Sequence, residues 1–394
     1  MTARDSLASA VGDRPLQLLA GTGQRLSNSL AGLANALQDS GVECALLVID
    51  RRALAASGLR KQLGDALSGV AIREFDAFSP NPLREEGAAA AELAAICRAD
   101  AVIGVGGGSC LDVAKLAALA ARTPEQIDAL SRGTQLEHAQ PLPLFAVPTT
   151  SGTGSEATHF AAIYVDGRKV SVAHPRMRPS CVVLDVRFHL AMPPRLAAVT
   201  GLDALAQAME SLWSVGATEQ SIEFAMHGGR LVADNLVESC QAPSERARTA
   251  VMIGAHLAGH AINISKTTAA HAMSYQLTQR FGLAHGHAVA LTLGHFAAAN
   301  AAVDSTNCVD PRGPSSVCER VAAAASLLGT AAINAASAIH QLLRTLDLPS
   351  SLTEAGVDVE ALDSLAQSVD LVRLANNPRQ FTTAELKSIL TAAL

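Results

Sequence analysis

The sequence AVIGVGGGSCLDVAK at residues 101–115 decides the fold of the first half of the chain. Its first five residues predict a buried strand that ends in glycines, and the residues after them open a helix. Consecutive glycines let backbone N–H groups approach a pyrophosphate, and a helix N-terminus favours that negative charge. The motif departs from the Gly-x-Gly-x-x-Gly fingerprint, and a simple tight turn is the alternative. The junction is therefore predicted to bind the phosphates of a dinucleotide.

Strands and helices alternate up to about residue 185. Further buried strands are predicted at Cys44–Ile49, Pro143–Val147 and Cys181–Leu184. Continuous apolar strands with helical crossovers imply a parallel sheet covered on both faces. After Pro193-Pro194 the segments are helical and rich in alanine. We therefore predict an α/β dinucleotide-binding domain at residues 1–190 and an all-helical domain at residues 191–394.

Composition narrows the classes of partner. The 394 residues carry a net charge of −6, which gives no basic surface for nucleic acid. Hydrophobic residues make up 49% and charged residues 17%, and the charged share is below the usual ~25%, so some surface is expected to be hidden in a homodimer or larger homo-oligomer. No segment predicts a membrane span or a signal peptide, and the seven cysteines form no Cys-x-x-Cys pair. These features predict a cytoplasmic protein with reduced thiols.

Two further strand ends carry polar residues. Asp50 ends the strand at residues 44–49, where its carboxylate could accept hydrogen bonds from a ribose 2′-hydroxyl and would repel a 2′-phosphate. This favours NAD(H) over NADP(H), although an ordinary turn residue is the alternative. The segment Thr149–Glu156 (TTSGTGSE) follows the strand at residues 143–147. Its hydroxyls and glycines suit phosphate or nicotinamide contacts, and a solvated loop is the alternative.

The stretch HAMSYQLTQRFGLAHGH at residues 271–287 indicates a metal site. Helical spacing of apolar residues predicts a helix over Ala269–Phe281 that ends at Gly282. A turn then brings His285 to a second helix that opens around Gly286. Neutral imidazoles on a helix and the following turn can converge on one divalent metal. Buried histidines satisfied by hydrogen bonds are the alternative.

A carboxylate and an amide can complete this site. A helix is predicted to begin at Thr200, and Asp203 and Gln207 are four residues apart on one face of it. The alternative is a capping box, with Thr200 as N-cap and Asp203 three positions on. Together with His271 and His285, the pair could supply two imidazoles, one carboxylate and one amide oxygen to a cation.

These segments, in this order, resemble the iron-dependent (group III) alcohol dehydrogenases. The glycine-rich segment is similar to that family's Gly-Gly-Gly-Ser-x-x-Asp-x-x-Lys, and Pro148–Glu156 to its Pro-Thr-Thr-x-Gly-Thr-Gly-Ser-Glu. Gly201–Glu210 resembles its Gly-x-Asp-Ala-x-x-His-x-x-Glu, and His271 and His285 keep the spacing of its last two metal ligands. The resemblance implies a dehydroquinate synthase-like architecture and a metal-dependent, NAD(H)-linked alcohol dehydrogenase or aldehyde reductase.

The resemblance also implies which residues bind the two cofactors. One divalent metal, Fe²⁺ with Zn²⁺ or Mn²⁺ as alternatives, would be held by Asp203, Gln207, His271 and His285. NAD(H) would be contacted by Asp50, Asn81, Gly107, Gly108, Ser109, Thr149, Thr150, Thr153 and Lys169.

Two positions depart from the family pattern. Gln207 replaces a histidine, and an amide oxygen is a weaker, harder ligand than imidazole, so the metal affinity or identity could differ. Tyr275 replaces a second histidine that takes part in proton relay. Tyrosine could donate that proton, and His287 is a second candidate.

The departures resemble a subgroup of the family, the phosphonoacetaldehyde reductases. Gln207, the segment after Glu210, Asn263–Ala269 and the histidines at 285 and 287 carry this likeness. It implies a small anionic aldehyde substrate, with Lys266 binding the phosphonate and the hydroxyls of Thr267 and Thr268 adding donors. Lys266 as a helix cap or a solvated residue is the alternative.

Three other functions remain open from the sequence. The first is a short-chain alcohol or diol dehydrogenase of the same family, of the lactaldehyde or propanediol type. The second is an NAD- and metal-dependent lyase of the dehydroquinate synthase type. The third is a non-enzymatic NAD-binding scaffold, which the substitution at Gln207 motivates.

Overall fold

The strands of the first half are short and mostly apolar, and all but two of them join one parallel sheet. The computed structural model describes residues 3–123, 125–134 and 139–394. The strands in it are β1 (Arg25–Ser27), β2 (Cys44–Ile49), β3 (Ala71–Phe75), β4 (Ala101–Gly106), β5 (Leu144–Pro148), β6 (Phe160–Val165), β7 (Arg168–Ala173) and β8 (Cys181–Val183). Within the described residues the sheet has the order β1-β8-β5-β4-β2-β3, and β6 pairs with β7 in a separate antiparallel hairpin.

Helices connect these strands within the first of two compact units, Met1–Met192. They are α1 (Ala3–Val11), α2 (Asp13–Ala20), α3 (Leu30–Asp39), α4 (Arg51–Ser57), α5 (Arg60–Ala66), α6 (Arg84–Ile96), α7 (Gly108–Ala120), α8 (Glu125–Ser131) and α9 (Val186–Leu190). The sheet core is apolar on both faces: β4 and β5 are buried at every residue. Separate hydrophobic clusters form around β2 and α3 and around β4 and α7.

The four strands predicted from sequence are β2, β4, β5 and β8, and all four pair in parallel. The predicted parallel α/β fold of this region is therefore confirmed. The strands that the sequence analysis missed are β1, β3 and the hairpin β6–β7. Strand β1 spans only three residues, and β3 is an edge strand with several exposed side chains. Neither shows the continuous apolar run that marks the central strands.

Lys115 and Asp112 form a buried ion pair within α7, and both hydrogen-bond to strand β6 of the hairpin. The Lys115 ammonium donates to Thr158 Oγ1 at 2.9 Å and to the Phe160 carbonyl at 2.6 Å, and it lies 3.9 Å from Asp112. Asp112 in turn accepts hydrogen bonds from Ser155 Oγ and from the backbone N–H of residue 162. Burial lowers the pKa of Lys115 to about 8, against the opposing effect of Asp112. Lys115 of the glycine-rich motif therefore has a structural role, because its hydrogen bonds hold α7 against the start of the hairpin.

The second unit, Pro193–Leu394, is helical. All of residues 193–394 are described, and they contain no strand. Its helices are α10 (Pro194–Trp213), α11 (Glu219–Gln241), α12 (Glu245–Ser265), α13 (Ala269–Phe281), α14 (His285–Ala301), α15 (Pro314–Ser326), α16 (Ala335–Thr345), α17 (Leu362–Gln367), α18 (Leu371–Leu374) and α19 (Thr383–Ala392). The predicted all-helical fold of this region is confirmed. Among the described helices, none is long and apolar enough to cross a lipid bilayer.

The predicted start of α10 at Thr200 is wrong. The helix begins at Pro194, because a proline at the first helical position needs no N–H partner and has a suitable φ. Thr200 therefore lies inside the helix, where its hydroxyl donates to the carbonyl of Leu196 at 2.9 Å. The capping-box alternative for Thr200 and Asp203 is excluded by the same observation.

Helices α11 and α12 cross at a pair of glycines. A Cβ on Gly228 would lie 2.7 Å from the carbonyl oxygen of Gly254, and one on Gly254 would lie 2.8 Å from that of Gly228. Side-chain atoms of Leu257 and Val232 also lie within 3 Å of these Cβ positions, but the two carbonyls are backbone, so a rotamer change alone cannot make room for a side chain. The close approach of the two longest helices of this unit depends on both glycines.

We expect Gly254→Ala to lower the free energy of unfolding by about 1–3 kcal/mol, the usual cost of overpacking a core. Urea denaturation followed by circular dichroism would measure the change. The control is Gly64→Ala in α5, where a Cβ would meet nothing within 4 Å. That variant should gain up to about 1 kcal/mol, since alanine favours the helix. Equal stability of the Gly254→Ala variant and wild type would contradict the steric argument.

The buried lysine gives a pH-dependent prediction. Between its folded pKa of about 8 and its ordinary value of 10.5, the unfolded chain binds more protons at this site than the folded chain. The free energy of unfolding contributed here therefore rises with pH across that window. Subtracting the values of Lys115→Met from those of wild type at each pH should expose this rise, at most about 1.4 kcal/mol per pH unit. A pH-independent difference would show that Lys115 keeps its ordinary pKa.

Candidate metal centre

Three helices of the second unit bring the predicted metal ligands together. Asp203 and Gln207 lie one turn apart on α10 and are 4% and 3% exposed. His271 lies in the first turn of α13, and His285 is the first residue of α14. One ligand atom from each of Asp203, His271 and His285 lies within 4.8 Å of the others. Residues distant in the chain thus form one compact group of donors.

The donor set fits a divalent transition metal. Two imidazoles and one carboxylate are ligands that Zn²⁺ and Fe²⁺ accept in sites that leave a position open for substrate. His271 Nε2 lies 3.3 Å from Asp203 Oδ1, and the rings of His271 and His285 are 5.4 Å apart between centroids. Gln207 lies one helical turn beyond Asp203 on α10 and is buried.

The backbone on either side of His285 explains how α14 reaches α10. Gly282 ends α13 in the left-handed conformation, with φ of 66°. A Cβ at Gly286 would lie 2.0 Å from the carbonyl of Val199 and 2.8 Å from the Cβ of Asp203. Only a glycine therefore lets the first turn of α14 approach the ligand-bearing part of α10. The predicted helix end at Gly282 is confirmed.

Glu210, quoted in a sequence motif above but not assigned to the site there, contacts the metal group directly. It lies fully buried on α10, and His271 Nδ1 donates to its carboxylate. Its other oxygen accepts from Thr268 Oγ1 at 2.8 Å and from the backbone N–H of Ala270 at 2.9 Å. A carboxylate on the outer nitrogen of a ligating histidine fixes the ring and increases its basicity. The seven-residue spacing from Asp203, two helical turns on the same face, was the signal available in the sequence.

The electrostatics of this group favour a cation. Burial disfavours the imidazolium of His271, but Glu210 and Asp203 outweigh it and raise the pKa of His271 to about 9. The pKa of Glu210 is lowered in spite of its burial, because His271 and Thr268 stabilise its charged form. Two buried carboxylates around one histidine require compensating positive charge, which a bound divalent metal would supply.

The two candidate proton donors occupy different surroundings. The ring of Tyr275 stacks on that of His285, with centroids 6.0 Å apart. His287 is buried, and its Nε2 donates to the carbonyl of Pro349 at 2.7 Å. Burial and the charge of Arg195 lower the pKa of His287. Tyr275 therefore contacts a ligand of the metal group directly, whereas one nitrogen of His287 serves a backbone contact.

The segment Lys266–Thr268, which we call the connector, joins α12 to α13 and leads into the metal group. Thr268 uses its hydroxyl inside this network, since it donates to Glu210 and accepts from Trp213 Nε1. Thr267 is buried, and Arg373 Nη1 donates to its hydroxyl at 3.4 Å. Lys266 is exposed. The predicted anion-binding residues are thus adjacent to the first turn of α13.

Two of the predicted cofactor residues of the first unit, Asp50 and Thr149, lie at the carboxyl ends of strands β2 and β5. Asp50 follows β2, and its backbone N–H donates to the carbonyl of Val105 on β4 at 2.9 Å. Thr149 follows β5, and its N–H donates to the carbonyl of Gly106 at 3.0 Å. Ligands of open α/β sheets bind outside these strand ends. Asp50 also caps α4, since its Oδ1 accepts from the N–H groups of residues 52 and 53.

The two predicted loops of this unit touch each other. A Cβ on Gly107 would lie 3.3 Å from the side chain of Thr150, and one on Gly108 would lie 2.6 Å from that of Thr153. The glycines therefore serve the packing of the loop at residues 149–156 against the start of α7.

Other atoms in this area suit a bound dinucleotide. Asn81 has a φ of 60°, and its N–H donates to Ser109 Oγ at 3.3 Å. The buried hydroxyl of Thr149 has no hydrogen-bond partner among the described residues, as expected for a group that contacts a ligand. Lys169 lies on β7 of the hairpin. Burial raises the pKa of Asp112, and the charges of Lys115 and, more weakly, Lys169 oppose that rise.

The role of Glu210 leads to a prediction about metal affinity. Glu210→Gln replaces an acceptor for His271 Nδ1 with an amide that must also serve Thr268 and Ala270. We expect metal affinity to fall about 10–100-fold, as measured by competition with a chelator for Zn²⁺ or Mn²⁺. Glu360→Gln, at an exposed position, is the charge-matched control. Wild-type affinity in the Glu210→Gln variant, with an unchanged circular dichroism spectrum, would contradict this role.

The comparisons with known proteins agree with this geometry. Residues 25–186 match the family model of iron-containing alcohol dehydrogenases, and residues 197–394 match that of the family's C-terminal region. The chain is 37% identical over 312 residues to a phosphonoacetaldehyde reductase of Streptomyces viridochromogenes, covering 77% of this chain and 78% of that protein.

Solved structures show the same architecture. The chain resembles a sulfoacetaldehyde reductase from Bifidobacterium kashiwanohense in complex with NAD⁺, with a TM-score of 0.82 and 29% identity over 94% of this chain and 96% of that one. It also resembles a 1,3-propanediol oxidoreductase, with a TM-score of 0.79 and 27% identity over 94% and 97% of the two chains. This chain is therefore an oxidoreductase of the iron-containing alcohol dehydrogenase family.

Proposed function

We propose that this protein uses NADH to reduce a small aldehyde bearing an anionic group to the primary alcohol, and that the substrate is phosphonoacetaldehyde, giving 2-hydroxyethylphosphonate. The observation that carries the proposal is the metal group of Asp203, His271 and His285 with a lysine, Lys266, five residues before His271 in the chain. The similarity to a phosphonoacetaldehyde reductase supports the same substrate.

The reaction balances as a two-electron reduction. A hydride goes to the carbonyl carbon, the π electron pair of the C=O bond moves to oxygen, and a proton completes the hydroxyl. When bound, NADH would supply the hydride and a divalent metal, Fe²⁺ or alternatively Zn²⁺ or Mn²⁺, would supply Lewis acidity. Asp203, Gln207, His271 and His285 would hold the metal, and Glu210 would keep the ring of His271 in place.

Residues of the first unit would hold the cofactor. Asp50 would accept from the ribose hydroxyls and disfavour NADPH, because a 2′-phosphate would meet its negative charge. The N-terminus of α7 and the hydroxyls of the loop at residues 149–156 would contact the phosphates and the nicotinamide. Asn81, Gly107, Gly108, Ser109, Thr149, Thr150, Thr153 and Lys169 complete the proposed set.

The chain's own residues would also supply the proton. We favour the Tyr275 hydroxyl over His287, because the Tyr275 ring contacts the ligand His285 whereas His287 donates to Pro349. Lys266 and Thr267 would hold the anionic group of the substrate, which orients the aldehyde carbon for hydride transfer.

The test is NADH oxidation by purified protein loaded in turn with Fe²⁺, Zn²⁺ and Mn²⁺. We expect kcat/KM for phosphonoacetaldehyde to exceed that for acetaldehyde and lactaldehyde at least about tenfold, since an ionic contact contributes roughly 1.5–3 kcal/mol. NADPH in place of NADH should reduce the rate. His271→Ala should lose both turnover and bound metal while keeping its circular dichroism spectrum.

Each alternative gives a different result. Equal kcat/KM for phosphonoacetaldehyde, acetaldehyde and lactaldehyde would identify a short-chain alcohol or diol dehydrogenase instead. Turnover of a substrate without net NADH consumption would indicate a lyase. Full activity of His271→Ala would refute the metal assignment.

A further inference from the structure

A second positively charged side chain, that of Arg373, lies beside the connector. The sequence patterns did not connect this part of the chain with the site. Arg373 belongs to α18, which packs against α13. Its Nη1 donates to Thr267 Oγ1 at 3.4 Å. The side chain of residue 267 thus links Arg373 to the same three-residue connector that carries Lys266. About a hundred residues separate the two cations in the chain.

Lys266 has a backbone conformation that lysine rarely adopts. Its φ is 60° and its ψ is 176°, a region populated essentially by glycine alone. Such strain costs free energy and persists only where the surroundings impose it. It tends to occur at ligand sites, where a particular direction of the side chain matters. A lysine at a position where glycine would relieve the strain indicates a role for its ammonium.

The surroundings hold the connector on both sides. Asn376 Nδ2 donates to the carbonyls of Ser265 at 2.8 Å and Thr267 at 3.0 Å, and Ser214 Oγ donates to that of Ser265 at 3.2 Å. Gly216 approaches the same carbonyl so closely that a Cβ there would lie 2.8 Å from it. The position of Lys266 is therefore set by its neighbours and not by its own preference.

The connector is also joined to the metal group. Thr268 and His271 both donate to the carboxylate of Glu210. Lys266 is two residues before Thr268, so the Cα atoms of these residues lie within about 7 Å. Although Lys266 is exposed as a residue, nearby protein atoms partly desolvate its ammonium, and this desolvation together with the charge of Arg373 lowers the pKa of Lys266. Two like charges that affect each other's pKa repel, and a bound anion would relieve that repulsion.

We propose that Lys266 and Arg373 together form the subsite for the tetrahedral anionic group of the substrate, with Arg373 as a specificity-determining residue. This inference rests on the proposed function and extends it. A guanidinium presents N–H donors in a planar fork that matches two oxygens of a phosphonate or sulfonate, while the ammonium adds a compact point charge. Two cations favour a phosphonate dianion over a sulfonate monoanion.

The first test uses Arg373→Gln, which removes the charge but keeps a donor for Thr267. The kcat/KM ratio of phosphonoacetaldehyde to acetaldehyde should fall at least tenfold, mostly through KM, and Arg373→Lys should recover part of it. The matched control is Arg280→Gln, which removes an exposed guanidinium from α13 and should keep the ratio. A merely structural role of Arg373 would lower turnover of both aldehydes alike, and the unchanged ratio would overturn the proposal.

The second test uses Lys266→Gly. Relief of the strained φ should raise the midpoint of urea unfolding, while loss of the ammonium should lower the same kcat/KM ratio at least tenfold. If the strained backbone of Lys266 serves to position its ammonium for the anionic group, the variant should be more stable and less selective than wild type. An unchanged ratio in this variant, whatever its stability, would overturn the role of Lys266.

A binding measurement separates this inference from the proposed function. Calorimetry with the metal-loaded protein should show that methylphosphonate binds more tightly than methanesulfonate and that Arg373→Gln weakens methylphosphonate binding at least tenfold. Such binding without reduction of phosphonoacetaldehyde would refute the proposed function and keep the subsite. Reduction of phosphonoacetaldehyde with unchanged binding and selectivity in Arg373→Gln would refute the subsite and keep the function.

Discussion

The carboxylate of Glu210 accepts hydrogen bonds from three successive parts of the second unit: the connector through Thr268, the first turn of α13 through Ala270, and the imidazole of His271. It does so fully buried, where each contact is electrostatically stronger than in water and an unmet charge would be costly. The direction of His271 toward Asp203 follows from this network. The same network holds Thr268, the last residue of the connector, two residues after Lys266. Through these hydrogen bonds, the single side chain of Glu210 connects the metal group with the connector.

Much of the fold follows from patterns that the sequence displays. The buried strands β2, β4, β5 and β8 are continuous apolar runs. The helical spacing of apolar residues predicted the extent of α13, and Gly282 predicted where it ends. The hairpin β6–β7 was missed although Asp166 and Gly167, both with positive φ, form the Asp-Gly turn typical of hairpins. The start of α10 was misplaced because Thr200 has the chemistry of an N-cap, while the proline six residues earlier decides the outcome.

The site was predictable only in part, for a physical reason. Asp203, His271 and His285 could be grouped because their chemistry suits a metal and their motifs recur in a known family. Arg373 could not be added, because nothing near it in the sequence marks it and only tertiary packing brings α18 to the connector. The strain at Lys266 is a property of backbone angles, which a single sequence does not reveal.

The reciprocal contact of Gly228 and Gly254 limits how this chain can evolve. When a side chain is obstructed by another side chain, a second substitution elsewhere can restore the fit. Here each position faces a peptide carbonyl of the other helix, and a carbonyl is present whichever amino acid is encoded there. No side-chain replacement at the crossing removes that carbonyl, so a lineage that loses either glycine must shift the backbone there and bear the loss of stability.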